Sequence, residues 1–162
     1  MDQESELKMR AFKPADLSAV SELIHATIEA SYAGVYPPRA VAFFREFHSP
    51  SAILQRHVTG SIVQVESEGR TVGTGSIVGA EITGVFVDPA FQGRGIGGRI
   101  MDELEREARA HGCDSIRLSV SLPSRRFYER RGYSVVEECS IDVGEGQRLD
   151  YWEAQKSLGG ES

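Results

Sequence analysis

The chain has 162 residues, of which 40% are hydrophobic and 26% are charged, so it can form one domain with a sizeable core. Its net charge of −6 disfavours nucleic acid as a partner, and the absence of any run of about 18 apolar residues argues against a membrane span. Two cysteines without a CxxC pattern, and histidines without ligand spacing, lead us to expect no disulfide framework, no metal and a cytoplasmic location.

The first part of the chain predicts one strand followed by helices. The strand is expected over residues 7–12. The apolar spacing after Asp16 predicts a helix that ends near Gly34. A shorter helix should begin at Pro38, and one or two further helical turns are expected over residues 51–57.

From residue 60 onward the apolar period changes to that of strands. The predicted elements are strands over 61–67, 70–78 and 81–87, a helix over 96–111, a strand over 115–120, a helix over 123–131, and strands over 133–143 and 149–156. The first three strands are joined by short turns and should form an antiparallel meander. Because a helix links residues 81–87 to residues 115–120, those two strands should be parallel neighbours.

This order indicates one α/β domain of the α+β type, with a mixed, mostly antiparallel sheet of about seven strands and about four helices. We expect the domain over residues 7–157, with flexible tails over residues 1–6 and 158–162. On the long helix, the i,i+4 pairs Asp102–Arg106 and Glu105–Arg109 are expected on the exposed side.

The most informative stretch is the glycine-rich loop between a strand and the long helix. Four glycines within six residues can leave backbone N–H groups bare at a helix N-terminus, which suits a phosphate. Gly93, Gly95 and Gly98 also satisfy the GxGxxG pattern of dinucleotide sites. That pattern should open the first βαβ unit, and it expects an acidic residue at the end of the next strand. Here a meander precedes the loop, and the strand end at Ser121 carries no carboxylate.

A second interpretation uses more of the chain. The run Gln92-Gly93-Arg94-Gly95-Ile96-Gly97 resembles the (Gln/Arg)-x-x-Gly-x-(Gly/Ala) signature of the GNAT superfamily of N-acetyltransferases. Residues 85–89 resemble the fourth strand of that family, and residues 124–133 resemble its Ala-x-x-Phe-Tyr-x-x-x-Gly-(Phe/Tyr) segment. The resemblance extends from about Leu7 to Lys156. Ser121 and Ser124 depart from the asparagine and the alanine that are frequent in the family.

The resemblance implies an enzyme that transfers an acetyl group from acetyl-CoA to a primary amine by direct attack on the thioester. The cofactor-binding residues that it implies are Val85, Phe86, Val87, Gln92, Gly93, Arg94, Gly95, Ile96, Gly97 and Gly98. Within this set the backbone N–H of Val85 would stabilise the oxyanion, and Val87 would pair with the pantetheine arm. Tyr128 occupies the place of the family's general acid, which protonates the departing thiolate.

The amine must lose a proton before it attacks, and Glu81 is our candidate for the base, directly or through a water. It shares strand parity with Val85 and lies four residues before it. Some family members carry a catalytic glutamate at this place and others do not. Gly84, in the middle of the strand, suggests a β-bulge that would turn an amide toward the substrate.

The acceptor should bind between the first helices and the last hairpin. The side chains available to line this pocket are Tyr32, Tyr36, Phe43, Phe44, Phe47 and His48. Tyr32 and Tyr36 are the candidate substrate-binding residues, whereas Phe43 and Phe47 at helical spacing are expected in the core. We expect a small-molecule or peptide amine as the substrate and a monomer or homodimer. The alternatives that remain are a non-catalytic acetyl-CoA sensor, which would need neither Glu81 nor Tyr128, and a dinucleotide oxidoreductase.

Overall fold

A computed structural model describes residues 6–159, which form seven strands and five α-helices. In chain order these are β1 (Leu7–Ala11), α1 (Leu17–Tyr32), α2 (Pro38–Phe47), α3 (Pro50–Thr59), β2 (Ser61–Ser67), β3 (Arg70–Val78), β4 (Glu81–Val87), α4 (Ile96–Ala110), β5 (Ser115–Val120), α5 (Arg125–Arg130), β6 (Ser134–Gly144) and β7 (Gln147–Ser157). In this part of the chain, no helix combines the length and the apolar character needed to cross a membrane. Most of the two predicted tails, residues 1–5 and 160–162, lies outside the described residues.

The strands form one sheet in the order β1-β2-β3-β4-β5-β7-β6. All neighbours are antiparallel except β4 and β5, which are parallel. The meander and the parallel pair are therefore confirmed, as is the α+β type of fold. One core lies under α4, whose Ile96, Ile100 and Leu104 are fully buried, and a second lies under α1, α2 and α3.

Strand β4 carries a bulge that shapes the middle of the sheet. Thr83 pairs with Ser76 of β3 and Phe86 pairs with Thr74, so two residues of β4 face one residue of β3. Gly84 takes the positive φ of +68° that the bulge requires. The pairing of β4 with β5 is confined to Glu81–Arg117 and Ile82–Leu118, next to the start of the bulge. Beyond it the two strands separate and leave an opening in the sheet.

Several local predictions were wrong because tertiary contacts decided them. Glu105 is 3% exposed and accepts hydrogen bonds from Tyr133 Oη at 2.8 Å and Lys156 Nζ at 3.1 Å, so it does not pair with Arg109 on the surface. Asp102 pairs with Arg131 of the segment after α5, at 2.7 Å, rather than with Arg106.

Two predicted boundaries also needed correction. Helix α3 begins at Pro50, where Ser49 caps it as expected by accepting a hydrogen bond from the N–H of Ala52 at 3.2 Å, but it continues beyond residue 57 to Thr59. Leu158, which we expected in a tail, is buried in the core under α4, and its N–H donates to Asp114 O at 2.7 Å.

Candidate active site

A cavity of about 520 Å³ lies between the second half of β4, the glycine-rich loop and α5. Most of the residues expected to bind the cofactor line it: Val85, Phe86, Val87, Gln92, Gly93, Gly95, Ile96, Gly97 and Gly98. Arg94 does not line it, because its guanidinium lies over the ring of Phe91, 4.8 Å from the centroid. We call this space the cofactor-side cavity.

The loop geometry explains why the sequence needs glycines there. Gly93 and Gly95 both have φ of +82°, which disfavours a side chain, and the space where a Cβ would stand is open at each. Gly95 is the N-cap of α4, a helix of 15 residues whose first turn borders the cavity. Glycine is needed at position 97 for a different reason, because a Cβ there would lie 3.2 Å from the ring of Phe127 on α5. Gln92 Nε2 donates to Val87 O at 3.0 Å and ties the loop to β4.

A second cavity, of about 190 Å³, opens where β4 and β5 separate. Its walls come from those two strands, from α1 and α2, and from the hairpin of β6 and β7. The residues that line both cavities are Tyr32, Val85, Phe86, Ser124 and Tyr128. The two spaces are therefore adjacent across Val85 and Tyr128. We call the second space the acceptor-side cavity.

Tyr128, on α5, stands at the junction of the two cavities and is 8% exposed. Burial raises the pKa of its phenol, the nearby Tyr32 raises that pKa further, and Arg131 partly opposes the rise. The hydroxyl consequently stays protonated at neutral pH. Within residues 6–159 no group hydrogen-bonds to it, so a proton donor is free to face the space between the cavities.

Glu81 is the first residue of β4 and lies at the rim of the acceptor-side cavity, with its side chain exposed. Its expected parity with Val85 was wrong. Ile82, Val85 and Val87 pack against the core under α4, whereas Phe86 packs against the other core, because the extra residue in the bulge reverses the alternation. Glu81 alternates with Ile82 and therefore points to the face of Phe86, which is the acceptor side.

Comparison with known proteins decides between the remaining interpretations. Residues 22–133, well over half of the chain, match the model of the acetyltransferase (GNAT) family. The chain belongs to this family. Its membership identifies an acetyl-CoA-dependent N-acetyltransferase, so the expected fold, enzyme class and acetyl donor are confirmed.

Individual relatives of this GNAT chain agree with that assignment. It is 29% identical over 136 residues to a glucosamine 6-phosphate N-acetyltransferase of Trypanosoma brucei brucei, covering 82% of this chain and 92% of the relative. A GCN5-related N-acetyltransferase structure from Rhodopseudomonas palustris has a TM-score of 0.85 at 23% identity, covering 98% of this chain and 100% of that one. The PaiA N-acetyltransferase of Thermoplasma acidophilum, solved with coenzyme A, has a TM-score of 0.76 at 18% identity, with 94% and 99% coverage. At these sequence identities, the two structures support the assignment of the fold alone.

The predicted substrate residues of this GNAT domain have different environments. Tyr32 lines both cavities, and its hydroxyl donates to Ser121 Oγ at 3.0 Å. Tyr36 lines neither, because its hydroxyl donates to Asp150 O at 3.0 Å and accepts from the N–H of Leu122 at 2.8 Å. These bonds connect the loop between α1 and α2 to β7 and to the segment after β5.

Phe43 and Phe47 were expected in the core, and this was wrong. They are 37% and 52% exposed, and their rings stack 6.3 Å apart at the acceptor-side cavity of the GNAT domain. The i,i+4 spacing predicted that these two side chains share a helix face. It gave no information on whether the chain packs anything against that face.

His48 was among the side chains expected to be available at the acceptor pocket, but its buried pairing with Arg56 was not predicted. His48 is buried on the cavity wall, and its Nδ1 accepts a hydrogen bond from Arg56 Nη2 at 2.9 Å. Burial lowers the pKa of His48 to about 3, with further lowering by Arg56 and His25. The imidazole is therefore neutral at pH 7, and Arg56 is the hydrogen-bond donor. A histidine after the aromatic run of α2 was the available signal. Among residues 6–159 no group of three or more His, Cys, Asp or Glu side chains is placed to hold a metal ion.

Proposed function

We propose that this enzyme moves the acetyl group directly from acetyl-CoA to a primary amine, with Glu81 as the base and Tyr128 as the acid. The observation that carries the proposal is the meeting of two cavities at Val85 and Tyr128. A donor in one cavity and an acceptor in the other would have their reacting ends at this junction. Neither cysteine lines the two cavities, which favours direct transfer over a cysteine-bound intermediate.

The residues present fit the acetyl donor. Gly93 and Gly95 leave open space beside the N-terminus of α4, where the partial positive charge of a long helix favours a phosphate. Val85 and Val87 border the same cavity, and their strand has lost its neighbour β5 at this point. The exposed edge of β4 would therefore hold the extended arm of the donor like an added strand.

Acetyl-CoA supplies the activated thioester, and the chain must then move two protons. Glu81, directly or through a water, would take one proton from the incoming ammonium. The N–H of Val85, turned by the Gly84 bulge, would donate a hydrogen bond to the carbonyl oxygen as negative charge develops there. Tyr128 Oη would give its proton to the sulfur as the carbon–sulfur bond breaks. The nitrogen would lose its second proton to solvent in the same collapse, and Tyr128 would regain a proton from solvent.

Replacing Glu81 tests the base. We expect Glu81→Gln to lower kcat/KM at pH 7 by about 100-fold, because general-base catalysis contributes roughly 10²–10⁴-fold. The rate should recover partly as the pH rises toward the pKa of the amine, since the free amine then needs no base. The measurement is thiol release against pH, with Glu138→Gln, an exposed glutamate outside both cavities, as the matched control. A Glu81→Gln profile parallel to that of the native enzyme would remove Glu81 from this role.

A further inference from the structure

The acceptor-side cavity has a lining that discriminates between classes of amine. Lysine and arginine are absent from its described lining residues, and Glu81 is the one acidic side chain there. Most of the remaining wall is aromatic or aliphatic. The apolar side chains are Tyr32, Phe43, Phe44, Phe47, Ile82, Val85, Phe86, Leu118, Val120, Tyr128, Ile141, Leu149 and Tyr151.

Two basic side chains lie near this wall, and neither places a cationic group on it. His48 lines the cavity but is neutral at pH 7, since burial holds its pKa at about 3. Arg56 is outside the lining: its Nη2 is occupied by Phe47 O at 3.0 Å and His48 Nδ1 at 2.9 Å, and its Nη1 lies behind Gly84, 2.9 Å from where a Cβ would stand. Its guanidinium therefore stabilises the turn between α2 and α3.

The hollow next to the cavity adds negative charge. It shares Glu81 and Tyr151 with the acceptor-side cavity, and it is also lined by Glu137, Glu153 and Arg117. Glu137 of β6 and Glu153 of β7 are directly paired across the two strands. Like charges in that position repel each other, and both would repel an anionic substrate.

A phosphate is usually held by arginine, lysine or a helix N-terminus, because its charge needs donors when it leaves water. The lining side chains supply no cationic donor. Resting on the acetyltransferase function proposed above, we infer that the acceptor is a small primary amine with an uncharged, apolar body, such as an arylalkylamine. This class excludes amino sugar phosphates, although the relative from Trypanosoma brucei brucei is named for one.

Size and ring geometry support the same class. Ligand pockets for drug-sized molecules measure about 300–1,000 Å³, and this cavity measures about 190 Å³. Phe44 meets Tyr32 edge to face with 4.7 Å between ring centroids, and His48 meets Phe86 likewise at 5.1 Å. Aromatic walls of this kind accept a ring by edge or offset contacts, and their faces attract an ammonium group.

A substrate comparison tests the inference. The probes are 2-phenylethylamine, glucosamine 6-phosphate, glucosamine and spermidine, each assayed for thiol release with saturating acetyl-CoA. We expect kcat/KM for 2-phenylethylamine to exceed that for each of the others by at least about tenfold, because a charged or polar body would lose its hydration in an apolar cavity. A preference for glucosamine 6-phosphate, glucosamine or spermidine overturns the inference and leaves the proposed function standing.

Variants of the cavity wall complete the test. Phe47→Ala, and Phe43→Ala as a second exposed position, should raise KM for 2-phenylethylamine by about fivefold and change kcat less, because they remove apolar contact area. Val58→Ala, at a position 76% exposed on α3 and outside the cavity, is the matched control. Unchanged KM in both phenylalanine variants contradicts the inference. Loss of thiol release with all four amines, together with no acetyl-CoA binding by calorimetry, contradicts the proposed function as well.

Discussion

Tyr36 and Tyr133 are at least as buried as Tyr128, but their hydroxyls form hydrogen bonds within the protein. Tyr36 donates to Asp150 O at 3.0 Å, and Tyr133 donates to Glu105 Oε2 at 2.8 Å. Tyr128 has no such bond within residues 6–159 and faces both cavities. Burial therefore does not distinguish Tyr128, the proposed acid, from Tyr36 and Tyr133. The difference is that the hydroxyl of Tyr128 has no hydrogen-bond partner within residues 6–159, whereas those of the other two do.

Gly84 is the residue whose backbone most directly shapes the site. We expect Gly84→Ala to lower the free energy of unfolding by about 1–3 kcal/mol, because its φ of +68° strains a side chain and its Cβ would lie 2.9 Å from Arg56 Nη1. The rate of acetyl transfer should fall with it if the bulge orients the N–H of Val85 toward the carbonyl oxygen, as the proposed mechanism requires. Urea unfolding and thiol release measure the two effects.

Gly34→Ala is the control for this substitution, because a Cβ at Gly34 meets nothing within 4 Å and its φ is not positive. It should change stability by less than about 0.5 kcal/mol. Equal stability and equal rate in the Gly84 and Gly34 variants would show that the bulge is not required.

Among the helices and strands, the sequence predicted the bounds correctly where local turn and apolar patterns alone determine them. The bounds of β2, β3, β4 and β5 agree with the prediction, because their apolar runs end at strong turn signals. The bulge in β4 was also predictable from Gly84. The effect of the bulge on side-chain direction was not predictable. Glu81 and Val85 point to opposite faces only because two residues of β4 face one residue of β3, and this register is known only from the structure.

The connection between α4 and the segment after α5 shows where local rules fail. Helical spacing suggested surface pairs for Asp102 and Glu105, but Arg131, Tyr133 and Lys156 compete for these carboxylates from elements far along the chain. Helical i,i+4 pairs contribute only about 0.2–0.5 kcal/mol, so a buried partner displaces them easily. For the same reason, helical spacing could not predict that Phe43 and Phe47 are exposed, because exposure depends on which other elements pack against α2.

For the whole molecule, the buried His48 predicts a loss of stability in acid. Its pKa is about 3 in the folded chain, against about 6.5 when unfolded. Above pH 6.5 both states are neutral and His48 has no effect. Below it the unfolded state binds a proton that the folded state does not, so stability falls by about 1.4 kcal/mol per pH unit until pH 3. The contribution at pH 5 is therefore about 2 kcal/mol.

Urea unfolding at pH 7.5 and pH 5.0 checks this prediction. His48→Gln should reduce the difference between the two pH values, because the glutamine cannot take up the proton in either state. His111→Gln, which removes an imidazole at an exposed position, is the matched control. An equal pH dependence in the native chain and the His48 variant would contradict the assignment.

The complete site combines side chains from elements that are far apart in the sequence. The motif of the glycine-rich loop and the Phe127-Tyr128 pair predicted the family, and through it the acetyl donor. The identity of the acceptor depends on side chains from α1, α2, β4, β5, β6 and β7, which meet only in the folded chain. No local pattern in the sequence carries that information.

The most direct test of the account is the turnover number of Tyr128→Phe. We expect kcat to fall at least about 100-fold, because the departing sulfur loses its proton donor. Acetyl-CoA affinity and the free energy of unfolding should stay nearly unchanged, since the hydroxyl has no hydrogen-bond partner within residues 6–159. Tyr133→Phe removes the hydroxyl that donates to Glu105 Oε2, so it should instead lose about 1.5–3 kcal/mol of stability and keep its kcat within a few-fold. A Tyr128→Phe enzyme with native kcat would contradict the central claim that the two cavities meet at the group that completes acetyl transfer.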